Sequence, residues 1–496
     1  MNSNDIKVNN KLIALVLVVL TIILGMSSQL NPFGNIWSGD EIIYLCAAKL
    51  MKNGGMIYTD FFDQKGPLFY FIQYIGVLLG GKVGLWIIEL IFIAGALYFT
   101  NKIICFYTDN RIVSFATLCI YAGLFGRYMN RGDMTDEFIV FPITYALYIF
   151  IRYLRRKNVR NYEVILVGLS FGSVILMKFS CIGIYAGMML YILFVLIKDK
   201  RFSELGKLCI YFIIGAAVII FAMILWLYFN GALSQMIEDY IVFNLKFSDV
   251  SMSDRANAAY ELFKEMFLYG EPFFIVFWIG LDIYTEMEKE SKGLYLSLIF
   301  SLLLTVWSGK DQPHYYIVLI SLFIIPITVS LEFMWEVFAD EAKLARVVMG
   351  LMTILCLFQG IKTIAANTLY VDSKEYSESM NAQGLYINEM LDEGDTIYSD
   401  WGATLCYYCD RYSTTKYYFT PPVSVDSELY KYIQADTIDD LAGDNPDYIY
   451  YREGFLDEED LSNEVEIYLQ GLIEGKYELI DTNYGYELWK LKTIAK

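Results

Sequence analysis

The chain has 496 residues, 56% of them hydrophobic and 17% aromatic, and its mean hydropathy is positive; a composition this apolar excludes an ordinary soluble enzyme and indicates a polytopic α-helical membrane protein. The formal charge of −18 is localised, because residues 367–496 hold 27 Asp and Glu against 9 Lys and Arg while the remainder carries 29 of each. The acidity excludes nucleic acid as a partner, since phosphate neutralisation needs clustered Lys and Arg on the contacting face.

In chain order, the first apolar run, Leu12 to Leu30, follows Lys7 and Lys11. It is longer than a signal-peptide core and lacks a small-x-small cleavage site, so an uncleaved first helix is expected. Further runs of spanning length fall near 84–106, 111–127, 136–153, 161–178, 180–197, 208–230, 270–285, 293–308, 314–334 and 346–366, which predicts about eleven transmembrane helices. Leu68 to Leu79 is too short to span and predicts a re-entrant or interfacial helix. Basic residues set the orientation: Arg152, Arg155, Arg156, Lys157 and Arg160 in one loop, and Lys198, Lys200, Arg201 and Lys207 in another, belong on the cytoplasmic side. Counting crossings from those loops puts the amino terminus inside. Loops 31–83, 127–136, 231–269 and 309–313 then lie outside, together with residues 367–496.

Two domains are therefore expected, a membrane domain over 1–366 and a small exterior α/β domain over 367–496. The latter alternates apolar strands at Asp395–Ser399 and Asp447–Tyr451 with a helix from Glu375 to Leu391. Of eight cysteines, only Cys406 and Cys409 have motif spacing, and a chain whose single histidine is His314 cannot complete a four-ligand zinc site around one such pair. They are expected to be packing cysteines in a strand.

The exterior loops carry the chemistry. Asp40, Glu41, Asp60, Asp63 and Lys65 occupy the first, with Tyr44, Tyr58 and Phe61 suited to the headgroup level. Arg127, Arg131, Asp133, Asp136 and Glu137 occupy the second, and Lys310 and His314 the third. Charge kept at a membrane surface is costly, so such a set is a candidate site. A carboxylate can take a proton from an attacking hydroxyl while fixed cations hold a departing phosphate. A glycosidase needs two carboxylates because its leaving alkoxide must be protonated; a phosphate leaving group is already a weak base, so one carboxylate and a cationic clamp suffice.

Asp40-Glu41 followed by Tyr44, then Tyr58-x-Asp60-x-x-Asp63-x-Lys65-Gly66-Pro67-Leu68, then Gly132-Asp133-Met134-Thr135-Asp136-Glu137, and Met177-Lys178 ending another run, together resemble the bacterial GT-C glycosyltransferases. These are relatives of the protein O-mannosyltransferases and the lipid A aminoarabinose transferase. The resemblance covers about residues 10–366 and is strongest over 37–70. It implies an inverting transferase of the cytoplasmic membrane that takes sugar from a polyprenyl-phosphate donor at the outer leaflet and passes it to an exterior glycan, lipid or protein.

The same resemblance places the base on Asp40, with Glu41 beside it. The second-loop acid falls on Asp136 or Glu137, with Asp133 not separated from them. Lys65 takes a phosphate-binding role, although Gly66 stands between it and the proline. Asp60, Asp63, Arg127, Arg131, Lys310 and His314 complete the candidate substrate- and phosphate-binding set, with membrane lipid headgroups as other partners for the arginines. No metal ligands are assigned, and a divalent cation stays open because relatives differ on it.

Ordinary structural roles compete at each position. Asp40 and Glu41, like Asp136 and Glu137, suit the first turn of a helix; Asp60 and Asp63 could pair with Lys65; Lys65 could snorkel. Two other functions also fit a polytopic chain. A transporter of an envelope precursor would place ionisable residues near mid-membrane in two related halves, which this sequence lacks. A non-catalytic exterior binding protein would need one helix as an anchor.

Overall fold

The computed structural model describes residues 3–34, 39–156, 158–284, 289–337, 371–399, 402–409, 411–418, 428–458, 461 and 463–492, with isolated residues between 358 and 366. The run expected to span at 346–366 falls almost wholly outside the described residues, as does the domain boundary that follows it.

Helix α1 (Ser3–Met26) precedes the first charged loop, where α2 (Asp40–Lys52) and α3 (Pro67–Gly80) form. The main helices follow as α4 (Lys82–Ile104), α5 (Arg111–Tyr128), α6 (Thr135–Arg156), α7 (Asn161–Met177), α8 (Gly183–Lys198) and α9 (Phe202–Phe229). A helical segment, Leu233–Phe247, then contains a π turn at Ile237–Val242. Beyond it lie α10 (Met252–Tyr269), α11 (Glu271–Tyr284), α12 (Lys289–Val306) and, after the 3₁₀ turn Pro313–Leu319, α13 (Ile320–Val337).

Among the described residues five helical stretches are long and apolar enough to cross a membrane, or six if the bent pair α10 and α11 counts as one crossing. The short apolar segment after the first loop is helical, as its composition suggests, and its 14 residues span about 21 Å at the α-helical rise. That is less than a bilayer core.

Helices α7 and α9 pack along their length, as do α8 and α12 and the pair α4 and α6. A Cβ added at Gly168 would land on the Phe212 carbonyl, and one at Gly215 on the Ile165 carbonyl. The α7 and α9 backbones therefore touch where only glycine leaves room. Close backbone approach through small residues is how helices associate where lipid is as apolar as leucine.

The C-terminal part folds as α14 (Val371–Met390), β1 (Ile397–Ser399), α15 (Gly402–Tyr408), α16 (Lys431–Gly443), β2 (Tyr448–Arg452), α17 (Glu464–Lys476), β3 (Tyr477–Asn483) and β4 (Tyr486–Leu491). The strands form one sheet in the order β1-β2-β4-β3, with β1 parallel to β2 and the other pairs antiparallel. Both residues of the β3–β4 turn, Tyr484 and Gly485, have positive φ of 56° and 76°, as a tight hairpin requires.

Cys406 lies in helix α15, and not in the expected strand. Residues Gly402 to Cys406 are all buried and pack on α2, so tertiary contact overrides β-propensity. Cys406 and Cys409 are buried free thiols.

Residues 411–418 lie against the first loop. The Phe62 amide donates to the Lys416 carbonyl at 2.8 Å, and Phe61 stacks on Tyr418 with ring centroids 4.7 Å apart. On its other side that loop meets α7, where the Gly66 amide donates to the Met177 carbonyl at 3.0 Å. A Cβ at Gly66 would strike the Leu176 carbonyl and lie 2.8 Å from the Met177 oxygen. Gly66→Ala is therefore expected to destabilise the protein by about 1–3 kcal/mol, read as a lower melting temperature in detergent.

Candidate functional site

Asp40 and Glu41 open α2, where acids favour the helix N-terminus. Successive helical residues point about 100° apart, and here that rotation separates the two. The Asp40 side chain is 47% exposed and 3.9 Å from the Lys65 ammonium, and it accepts from the Tyr44 hydroxyl at 3.0 Å. Glu41 turns inward and accepts from Gln29 Nε2 at 3.1 Å. Burial pushes its carboxyl up to about 8, opposed by a backbone hydrogen bond.

The turn before α3 aims Lys65. Asp63 accepts the Lys65 amide at 2.7 Å, and Tyr58 donates to the Lys65 carbonyl at 2.7 Å. Pro67 then starts the helix with its fixed φ. Asp63 is itself buried, and burial raises its carboxyl above the ordinary range. Burial would lower the Lys65 ammonium, but Asp40 and then Asp63 outweigh it and keep the lysine charged. Asp63 is a brace for Lys65, whereas Asp60 faces away and accepts the Met56 amide at 2.7 Å.

Asp136 and Glu137 divide in the same way at the start of α6. Both Asp136 oxygens accept from Lys178 Nζ at 2.9 Å, and Lys178 sits 3.5 Å from the centre of the Tyr315 ring. Lys65, Asp136, Lys178 and Tyr315 line one cavity of about 220 Å³, walled also by Tyr240 and Asn244. His314, 7% exposed, stands within electrostatic reach of Asp40, Lys65, Asp136 and Lys178. Glu137 instead joins the buried Glu89 on the far side of α6. Asp133 is there too, with its amide donating to Glu89 Oε1 at 3.1 Å and its side chain accepting from Gln73. Burial raises the Asp133 carboxyl far above its ordinary range.

The remaining candidates take structural or peripheral positions. Arg127 pairs with Glu265 at 3.2 Å. Arg131 holds a left-handed turn, and its carbonyl accepts the Gln29 amide at 2.7 Å. Lys310 lies over the Phe247 ring at 5.1 Å, beside the cavity that Phe247 helps to line. Among the described residues no group of three or more His, Cys, Asp or Glu side chains is arranged to hold a metal ion.

Sequence reasoning missed Tyr240 and Asn244. The Tyr240 hydroxyl accepts the Phe179 amide at 3.2 Å, and Asn244 donates to the Gln64 carbonyl at 2.7 Å, so both tie the cavity's two lysine-bearing segments to the π turn. An i→i+5 turn leaves no periodic signal in a sequence, although the polar Glu238-Asp239 pair between two apolar runs could have drawn attention to it.

The helical bundle, with its charged cavity between the first loop, the start of α6 and the end of α7, shares its fold with solved GT-C glycosyltransferases. Over 97% of this chain and 98% of the other, the protein is similar to ArnT from Cupriavidus metallidurans bound to undecaprenyl phosphate, with a TM-score of 0.63 and 11% identity. The same enzyme in the apo state gives a TM-score of 0.62 at 12% identity, again over 97% and 98% of the two chains. The Archaeoglobus fulgidus oligosaccharyltransferase in complex with Zn and sulfate gives 0.51 at 14% identity, over 89% of this chain and 68% of that one. At these identities the likeness is one of fold. No curated protein matches the sequence significantly. The chain belongs to the family described as "Putative competence-induced protein Ccs4 N-terminal domain", which matches residues 1–358.

Two tests follow from the charge arrangement. Lys178→Ala strands the buried Asp136 and is expected to cost about 3–5 kcal/mol, partly restored by adding Asp136→Asn, as measured by thermal unfolding of the purified variants. Glu41 holds its proton more tightly folded than unfolded, so it favours folding at acidic pH and loses that contribution as pH rises through about 8. Glu41→Gln keeps the oxygen that accepts from Gln29; its melting temperature is expected to fall less than that of the unmodified protein between about pH 5 and about pH 9.

Proposed function

We propose that the protein is an inverting glycosyltransferase that moves a sugar from a polyprenyl-phosphate donor to an acceptor at the outer face of the cytoplasmic membrane. The observation that carries this reading is the position of Asp40, a half-exposed carboxylate 3.9 Å from Lys65, beside a cavity that holds a second lysine, Lys178. ArnT, the protein it resembles in fold, binds undecaprenyl phosphate, the class of carrier the two lysines suit.

The roles follow from which groups are already committed. Both oxygens of Asp136 are occupied by Lys178, so Asp136 holds a cation in place. Among the described residues Asp40 accepts from Tyr44 alone besides its long contact with Lys65, so it has capacity to take the proton of an acceptor hydroxyl. As that oxygen bonds to the anomeric carbon from the opposite face, the bond to phosphate breaks. The electron pair leaves with the lipid phosphate, and the anomeric configuration inverts. Lys65 and Lys178 neutralise the charge growing on that phosphate, which needs no acid to depart.

An exterior site accounts for the lipid-borne donor, because nucleotide sugars are held inside the cell. The basic loops at 152–160 and 198–207 support a cytoplasmic amino terminus and an exterior C-terminal part. Eleven crossings in residues 1–366 and an α/β domain in 367–496 belong to the same reading.

Asp40→Asn is expected to lower transfer by about 10²–10⁴-fold with normal protein level and unchanged binding of undecaprenyl phosphate. The assay incubates purified protein with a panel of radiolabelled polyprenyl-phosphate sugars and follows consumption of the donor. Full turnover by that variant would refute the assignment of the base.

A further inference from the structure

Two cysteines that the transferase chemistry leaves aside, Cys406 and Cys409, meet at the joint between the C-terminal part and the first loop. Helix α15 packs on α2, the helix that Asp40 opens. The Cys409 amide donates to the Leu405 carbonyl at 2.9 Å, which carries the helical turn through residue 409. Cys406 and Cys409 therefore lie three positions apart on one face, with α-carbons about 5 Å apart at α-helical rise and radius. That separation falls within the span of roughly 4.4–6.8 Å that a disulfide bridges. The Cys406 thiol hydrogen-bonds the Cys409 sulfur, so the two sulfur atoms face each other.

The surroundings give the two sulfurs different parts. A helix C-terminus ordinarily disfavours a thiolate, because its last carbonyls carry negative partial charge. Here Lys49 of α2 answers those carbonyls, donating to that of Tyr407 at 2.9 Å and to that of Cys409 at 3.3 Å. The hydrogen bond from Cys406, then the Arg411 amide and the charges of Lys49 and Arg411, hold the Cys409 thiol below its ordinary value against the effect of burial. The same hydrogen bond, together with burial, raises the Cys406 thiol. One sulfur is readied as a nucleophile while the other keeps its proton, the division that separates reactive Cys-x-x-Cys pairs from inert packing cysteines.

A third thiol, Cys46, lies on α2 three positions before Lys49 and is 3% exposed. It acts on Cys406 and Cys409 through charge, whereas those two share a hydrogen bond.

We propose that Cys406 and Cys409 form a dithiol that is reversibly oxidised to an intrachain disulfide, a modification site at the joint between the C-terminal part and α2. In the forward step the Cys409 thiolate attacks one sulfur of a disulfide-bearing donor, and the donor's other sulfur leaves as a thiolate. Cys406 then attacks the Cys409 sulfur of the mixed disulfide and releases the second donor sulfur. The two thiol protons pass to the two donor thiolates, so the cysteines are oxidised by two electrons and the donor is reduced by two. Cys409 is 0% and Cys406 6% exposed, so exchange takes place while α15 is parted from α2, before docking or on local opening. That the donor meets the pair outside the cell rests on the exterior placement proposed above; the pairing of the two sulfurs does not.

The test treats the full chain, purified in nanodiscs, with diamide, a small diazene that joins two thiols as its N=N bond is reduced to a hydrazine. Remaining thiols are blocked with N-ethylmaleimide, and the bridge is mapped by peptide mass spectrometry. One bridge between Cys406 and Cys409 is expected, reversed by dithiothreitol, kept in Cys46→Ser and lost in Cys406→Ser and Cys409→Ser. Protein from cells whose thiols are trapped with acid at harvest is expected to hold the same bridge. The proposal is overturned if neither sample contains it, or if the bridge runs to Cys46. A bridge that diamide forms in a protein found reduced in the cell would instead sustain the pair and count against the exterior placement, so the two failures are distinguishable.

Discussion

The site depends on one backbone contact, the hydrogen bond from the Gly66 amide to the Met177 carbonyl. It joins a loop that carries Lys65 to a helix end that carries Lys178, and it brings two ammonium groups to one cavity. Like charges at such range repel strongly where water is scarce, so the contact persists only because Asp40, Asp63 and Asp136 offset them. The glycine leaves room for the two segments to meet, and the acids offset the burial that would otherwise lower both ammonium groups.

The division of labour among those acids follows from helix geometry. Two pairs of adjacent carboxylates, Asp40-Glu41 and Asp136-Glu137, each start a helix, and in each pair the first residue faces the lysines while the second turns into the protein. Glu41 meets Gln29, and Glu137 meets Glu89. The second pair was not separable in the sequence, because Glu89 and Lys178, which decide the matter, lie about fifty and forty residues away in opposite directions and no local pattern links them.

Much of the fold was legible, because apolar runs long enough for a bilayer are a strong signal. The helices α4 to α9 begin and end within a few residues of the expected runs. The short helix α3 was readable from its length alone, and the strands β1 and β2 from their β-branched and aromatic content. The helix at Gly402–Tyr408 was not, because its burial depends on α2, which is more than three hundred residues earlier. Of the candidate site residues, those at 40, 65 and 136 come together around one pair of lysines, while Arg127 and Asp60 share their chemistry and not their placement. Charge in a sequence shows that a loop has work to do; only the partners Glu265 and Met56 show what the work is.

The contact of residues 411–418 with the first loop also bears on how such proteins diversify. Phe62, Asp239 and Lys416 interlock across three segments, so the C-terminal part cannot be exchanged between relatives as an independent cassette. A chimaera that replaced it alone would strand a buried aspartate and uncover a buried phenylalanine of the first loop. Recombination within this architecture must therefore carry the first loop and its distant counterpart together, coupling their divergence across almost the whole gene.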